Sequence, residues 1–418
     1  MVYTDADARA ARRDFPALAR RQDEFELAFL DGPGGTQVPQ CTIDAVARVY
    51  RDCNVNVGGA FATSHESAAV VQDARAAIAD FVGAASPNQV SFGQNMTTLN
   101  FALARALGRR LVAGDEVVIT ALDHEANRGP WIGLAERGVA VREAHLADDG
   151  TLDLDHLATL VGPRTRVIAV GIASNALGSV TPFARVRELA HAVGALTVVD
   201  AVHYAAHLPL DFEQLGCDFM LCSAYKFYAP HVGILCSRPG LLEVLEPDRL
   251  RTQKQCAPWR IETGTLNFAA LAGVTATIDY LAGLAGATPA GGAGASRRAR
   301  LVEAMSAIAD YEHALGARYW DALQHLPGVR RHGPRFGDEP RAPTVSFSTT
   351  RHIAPIAEFL ATQGLQVWHG HFYAPRVVES LCLMEQGGLL RVGFALYNTG
   401  EEVQRLLTAL EAACARKL

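Results

Sequence analysis

Short apolar runs separated by helix-like stretches constrain this chain more than any other feature. Strand-like runs lie at residues 89–92, 116–120, 166–170, 195–200, 218–222 and 232–236, and helical patterns occupy 98–107, 127–137 and 183–193 between them. A run of Val, Ile and Leu without polar alternation suits a strand buried on both faces. Helices between successive runs bring the strands together side by side and mostly parallel. The fold class expected is α/β, with helices covering both faces of the sheet.

At 418 residues the chain exceeds one ordinary core, so two domains are expected. Residues 283–296 are rich in Gly and Ala and read as a flexible connection, after which a long helix (298–323) precedes an α+β tail with a last helix from Thr399. The organisation expected is an N-terminal segment (1–29, helical at 5–20) packing with the small domain, a large domain (30–285), a flexible loop (286–297) and a small C-terminal domain (298–418). The 38 basic and 44 acidic residues give −6 without a long run of either sign, which argues against nucleic acid or an anionic membrane as partner. No stretch reaches membrane-spanning length, and the charged N-terminus has no signal core. Cysteines 41, 53, 217, 222, 236, 256, 382 and 414 are scattered without a C-x-x-C, so neither zinc nor disulfides are expected, and a reducing cytoplasm fits.

Ligands of open parallel sheets bind beyond the carboxyl ends of the strands. Loops there carry Asn95-Met-Thr-Thr98, Asp123-His-Glu-Ala-Asn127, Ser174-Asn175 and Asp200-Ala-Val-His203. Taken singly, each has an ordinary job: Thr97 and Thr98 cap a helix, Asn175 with Gly178 makes a turn, and Lys226 is a surface lysine. Asp200 alone suits a metal or a ribose equally well. Together the loops describe something narrower. Asp200 ends one run and Lys226 follows the next in Ser223-Ala-Tyr-Lys226, a pair able to grip a pyridine ring from two sides. The lysine would form a Schiff base with the ring's aldehyde, and the carboxylate would keep the ring nitrogen protonated. Amides and hydroxyls at 96–98 would hold a phosphate at a helix N-terminus.

In this order the motifs resemble the class V aminotransferase group of fold-type I pyridoxal-phosphate enzymes, most nearly its cysteine desulfurase-like branch. The resemblance runs from Leu30-Asp-Gly-Pro-Gly-Gly-Thr36 to Arg391-Val-Gly-Phe394. It implies a mostly parallel seven-stranded sheet and pyridoxal 5'-phosphate as cofactor. Lys226 is implied as the lysine that carries it, Asp200 as the partner of the ring nitrogen and His124 as the ring stacked on it. Asn175 and His203 are implied near its phenolic oxygen, and Met96, Thr97, Ser223 and Tyr225 around the phosphate. Thr265 resembles a threonine that reaches the neighbouring subunit's phosphate, which implies a homodimer. Arg391 matches the arginine that grips an amino-acid substrate's α-carboxylate.

One loop departs from the pattern. Desulfurases place an arginine and a nucleophilic cysteine on a mobile loop ahead of the carboxylate-binding arginine. Here the loop reads Val367-Trp-His-Gly-His-Phe-Tyr-Ala-Pro375, with Trp368 where the arginine stands and Tyr373 where the cysteine stands. A phenol of ordinary pKa, about 10, cannot accept a sulfur atom. Trp368, His371 and Tyr373 are expected to contact substrate; His369 and His371 lack a third ligand for a metal. The reaction expected is α-proton abstraction followed by β-bond cleavage, with an S-substituted cysteine as the substrate. Transamination, epimerisation or oxidative decarboxylation, desulfuration through Cys256 or Cys382, and a non-catalytic scaffold stand as alternatives.

Overall fold

The computed structural model describes residues 1–285, 294–337 and 339–416. Seven strands form the central sheet among the described residues: β1 (Val90–Gly93), β2 (Glu116–Thr120), β3 (Ala140–Ala144), β4 (Thr165–Gly171), β5 (Leu196–Asp200), β6 (Phe219–Ser223) and β7 (Gly233–Ser237). Their order is β1-β7-β6-β5-β4-β2-β3, with only β7 antiparallel to its neighbours. Strands β2, β6 and β7 are buried at every position, as their unbroken apolar runs require. The sheet is the mostly parallel, seven-stranded one expected.

Local chemistry sets the strand ends. The helix Phe183–Val193 stops at Gly194, whose φ of 71° supplies the left-handed cap before β5 begins. Asn95 caps the helix Met96–Gly108 by accepting from the Thr98 amide at 2.9 Å. The start of β7 passes so near this cap that a Cβ on Gly233 would lie 2.3 Å from the Asn95 carbonyl carbon.

Several local expectations differ from the structure. The stretch 127–137 is not one helix but a 3-10 turn (Glu125–Asn127), a short helix (Gly129–Ile132) and a second 3-10 turn (Gly133–Arg137). Pro130 and the glycines at 129 and 133 make a continuous helix there unfavourable. The N-terminal helix also breaks early, at Ala11, because Pro16 holds Phe15 in an extended conformation. Edge strand β3 and the helices Gln40–Asp52, Ala62–Val82 and Phe268–Gly283 have no counterpart in the sequence reading. Of the Gly/Ala loop placed at 286–297, residues 286–293 lie outside the described residues, and the long helix already begins at Arg297.

A second sheet, antiparallel, follows the long helix Arg297–Leu323. Its strands are β8 (Val329–His332), β9 (Thr344–Thr349), β10 (Trp368–Gly370) and β11 (Leu389–Gly393), in the order β8-β9-β11-β10. The N-terminal segment packs against this part of the chain. Tyr3 Oη donates to the Leu396 carbonyl at 3.1 Å, Arg12 pairs with Glu402 at 2.8 Å, and Ala28–Phe29 lies parallel to Leu365–Gln366. No helix among the described residues is long and apolar enough to cross a membrane.

Candidate active site

The carboxyl ends of β2, β4, β5 and β6 open onto a cavity of about 770 Å³, closed on its far side by β10, β11 and the loop between residues 370 and 375. Its lining includes Met96, Thr97, His124, Asn175, Asp200 and His203. Ser223, Tyr225, Lys226, Trp368, Tyr373 and Arg391 line it as well. The loop motifs and the family resemblance they carry name each of these as a site residue.

Asp200 is the last residue of β5 and is 9% exposed. Its Oδ1 accepts from the Val202 amide at 2.9 Å, and no hydrogen bond from the protein engages Oδ2. Burial pushes the carboxyl up to about 6, even though the nearby Lys226 favours its charged form. Lys226 sits on the turn after β6, where Nζ donates to the Pro33 and Gly34 carbonyls. Burial, aided by the charge of Arg391, lowers its pKa to about 7, against the pull of Asp31 and Asp200. A substantial fraction of this lysine is therefore a free amine at neutral pH.

Around this pair the other loops present fixed donors and rings. The first turn of the helix Met96–Gly108 points into the cavity; the Met96 amide donates to Ser223 Oγ at 3.0 Å, which ties that helix end to β6. His124 Nδ1 accepts from the Ala126 amide at 3.0 Å, and burial followed by the charges of Lys226 and Arg391 brings its pKa to about 4, so the ring is neutral. His203 Nε2 meets Thr344 Oγ1 at 2.9 Å across the boundary to β9. Arg391, on β11, is 3% exposed. It donates to Asp31 Oδ1 at 2.6 and 3.2 Å and to the Asn175 carbonyl at 3.1 Å, which leaves two of the five N–H donors of a guanidinium for a ligand.

These groups fit pyridoxal phosphate. A buried carboxylate whose second oxygen takes no hydrogen bond from the described residues, a lysine poised as free amine and a helix N-terminus bordering the cavity suit its ring nitrogen, aldehyde and phosphate. Nothing comparable exists for a metal: no group of three or more His, Cys, Asp or Glu could hold one among the described residues.

Two of the named residues do not line this cavity: His371, expected to contact substrate, and Thr265, expected at the neighbouring subunit's site. Thr265 is exposed and does not line it. His371 is exposed too, and its Nδ1 instead accepts from the Tyr373 amide at 3.2 Å. Strand alternation would have put 371 and 373 on one face, but β10 ends at Gly370, and Phe372 and Tyr373 take φ values of 52° and 56°. Each such non-glycine residue costs on the order of 1 kcal/mol or more, and surrounding contacts hold it. The Phe372 carbonyl accepts from Asn175 Nδ2 at 2.8 Å, and the Tyr373 carbonyl from the Glu125 amide at 2.7 Å.

Among the lining residues not singled out from sequence, four shape the site. Asp123 accepts from the Gly171 amide at 2.6 Å and from Asn127 Nδ2 at 3.2 Å; burial, with a further push from Asp200, raises it to about 7. Asp31 orients Arg391, Phe372 stacks beneath that guanidinium at 4.4 Å, and Phe101 borders the entrance. The motif around Asp123 did carry a signal, because a carboxylate at a strand end is unusual unless something nearby needs it.

The family model for aminotransferase class-V matches residues 28–406. A curated cysteine desulfurase from Yersinia pestis (strain Pestoides F) is 32% identical over 417 residues, covering 96% of both chains. Among solved structures, a cysteine desulfurase from Escherichia coli is 27% identical with a TM-score of 0.84, each chain covered 100%. The apo cysteine desulfurase from Thermococcus onnurineus NA1 is 25% identical with a TM-score of 0.87, covering 100% of this chain and 99% of that one.

Proposed function

The chain belongs to the class-V aminotransferase family and is a pyridoxal-phosphate-dependent enzyme, and we propose that it cleaves the carbon–sulfur bond of an S-substituted cysteine. One observation carries this reading: none of the eight cysteines lines the cavity, while Tyr373 does. Cys256 and Cys382 are exposed and do not line it, which supports a reading in which no protein sulfur acceptor stands where the bond breaks. Elimination needs no acceptor.

Bound in the cavity, pyridoxal phosphate supplies an electron sink for negative charge at the substrate's α-carbon. Lys226, freed by the substrate's amine, takes the α-proton as a neutral base; its lowered pKa suits that work near pH 7. Asp200 Oδ2 would hold the proton on the ring nitrogen of the bound cofactor, and the His124 ring would cover a face of that ring. The two free donors of Arg391 hold the α-carboxylate, which fixes the α-hydrogen toward Lys226. The β C–S bond then breaks with its electron pair on sulfur, and the proton held by Lys226 goes to the thiolate. Water hydrolyses the released 2-aminoacrylate to pyruvate and ammonium. The family resemblance supports a homodimer as the working unit, with the exposed Thr265 reaching the neighbouring subunit's site.

Incubating the holoenzyme with a panel of S-alkyl and S-aryl cysteines tests the reading. Thiol and pyruvate appear in equal amounts if it is right; a panel left intact would sink it.

A further inference from the structure

Three aromatic side chains from separate elements surround the cavity entrance. Phe101 comes from the helix Met96–Gly108, Trp368 from β10 and Tyr373 from the loop after it. They leave 42%, 58% and 69% of their surface exposed, although all three border the space a substrate enters. Large rings left in water beside a pocket gain contact only when something apolar sits against them. Tyr373 is also held firmly. The hydrogen bonds to its carbonyl and to that of Phe372 join the loop to the strand-end loops, and its ring lies 5.6 Å from the His124 ring at 28°. That geometry leaves a flat surface of the kind a further ring stacks on.

Charge at the entrance is already matched. Glu125 is paired with Arg128 at 2.9 Å, and Arg128 also reaches Glu143 at 2.5 Å. Lys226 and Arg391 lie inward, where the amino-acid end of a substrate belongs. Among the described residues lining the entrance, a cationic or anionic substituent therefore finds the nearby charges already paired, whereas a neutral aromatic one finds three surfaces.

We propose that Phe101, Trp368 and Tyr373 form a collar that selects substrates whose sulfur carries an aromatic substituent. This rests on the carbon–sulfur lyase reading and adds the substrate class to it.

The test compares S-benzyl-cysteine with S-methyl-cysteine on the holoenzyme, for wild type and for Trp368→Ala, Tyr373→Ala and Tyr373→Phe. Wild type should favour the benzyl compound at least tenfold in kcat/KM. Each alanine variant should lower the benzyl value about fivefold or more beyond any fall in the methyl value. The change in that ratio cancels the thiols' different leaving abilities. Tyr373→Phe keeps the ring and should keep the preference. Equal treatment of the two substrates by wild type, or an equal fall for both in the alanine variants, overturns the collar. If neither compound is cleaved, the lyase reading fails, and dissociation constants from the holoenzyme's absorbance decide the collar separately. A benzyl preference of tenfold or more that shrinks in the alanine variants upholds it, and equal constants overturn it.

Discussion

At the floor of the cavity Asp123, Asp200 and Lys226 are buried and electrically strained, whereas at its mouth Trp368 and Tyr373 leave more than half their surface in water. The floor comes from strand ends and turns of the large sheet, the mouth mainly from β10 and the loop that follows it. In the proposed reading the floor serves proton transfer from an amino acid. No cysteine lines the mouth among the described residues. Reaction type is thus divided in space: the floor makes the α-carbon reactive, and the mouth decides what leaves.

Lys226→Ala strikes the floor hardest. Turnover should fall roughly thousandfold or more, and borohydride should no longer attach cofactor to the chain, as peptide mass analysis would show. A variant that keeps its rate would place the base elsewhere. Asp200→Asn should lower kcat about a hundredfold through loss of the ring-nitrogen partner. The same change should stabilise the cofactor-free protein by about 2 to 3 kcal/mol at pH 8, since it removes a charge that burial disfavours. The sign follows from the raised pKa. Between about 3.8 and 6 the folded state keeps a proton that the unfolded state gives up, so stability falls as pH rises through that window. The gain from Asn is full above it and absent below it. Denaturant melts at pH 8 and pH 4 check this, and an equal gain at both would contradict the charge account.

Recapture of pyridoxal phosphate by the cofactor-free chain should quicken about tenfold between pH 6 and pH 8, following the free-amine fraction of Lys226. A flat profile would mean that the lysine is not held near 7. The smallest effect belongs to the helix Pro375–Ser380 that follows the mouth. Arg376 lies just past Tyr373 and reaches Glu143 at 2.7 Å and Glu379 at 2.6 Å. It is 42% exposed as a side chain, and such pairs contribute about 1 kcal/mol or less. Arg376→Ala should therefore raise KM only two- to fivefold, with kcat little changed and the difference reduced at high salt. A collapse of kcat would make the mouth part of the chemical machinery.

The two regions were also unequally legible in sequence. Unbroken apolar runs ending in polar residues disclosed β2, β5 and β6, and with them Asp200 and Lys226, because burial on both faces leaves a plain mark. Edge strand β3 is only partly buried, so its Val-Arg-Glu sequence carries no such mark. The Asp31–Arg391 pair joins residues near opposite ends of the chain, and no local pattern announces a contact of that kind. At the mouth, β10 ends at Gly370 and two left-handed residues follow at 372 and 373, so no strand pattern told that His371 stays exposed while Tyr373 lines the cavity. Phe101 was invisible because a phenylalanine on a helix reads as core, and this one faces the entrance.

The division between floor and mouth is tested most directly by a complete product balance on S-benzyl-cysteine and on free cysteine with the holoenzyme. The account predicts benzyl thiol, pyruvate and ammonium in equal amounts from the first, with no protein-bound persulfide and no alanine from the second. Alanine together with a persulfide on the chain, from free cysteine, would contradict it.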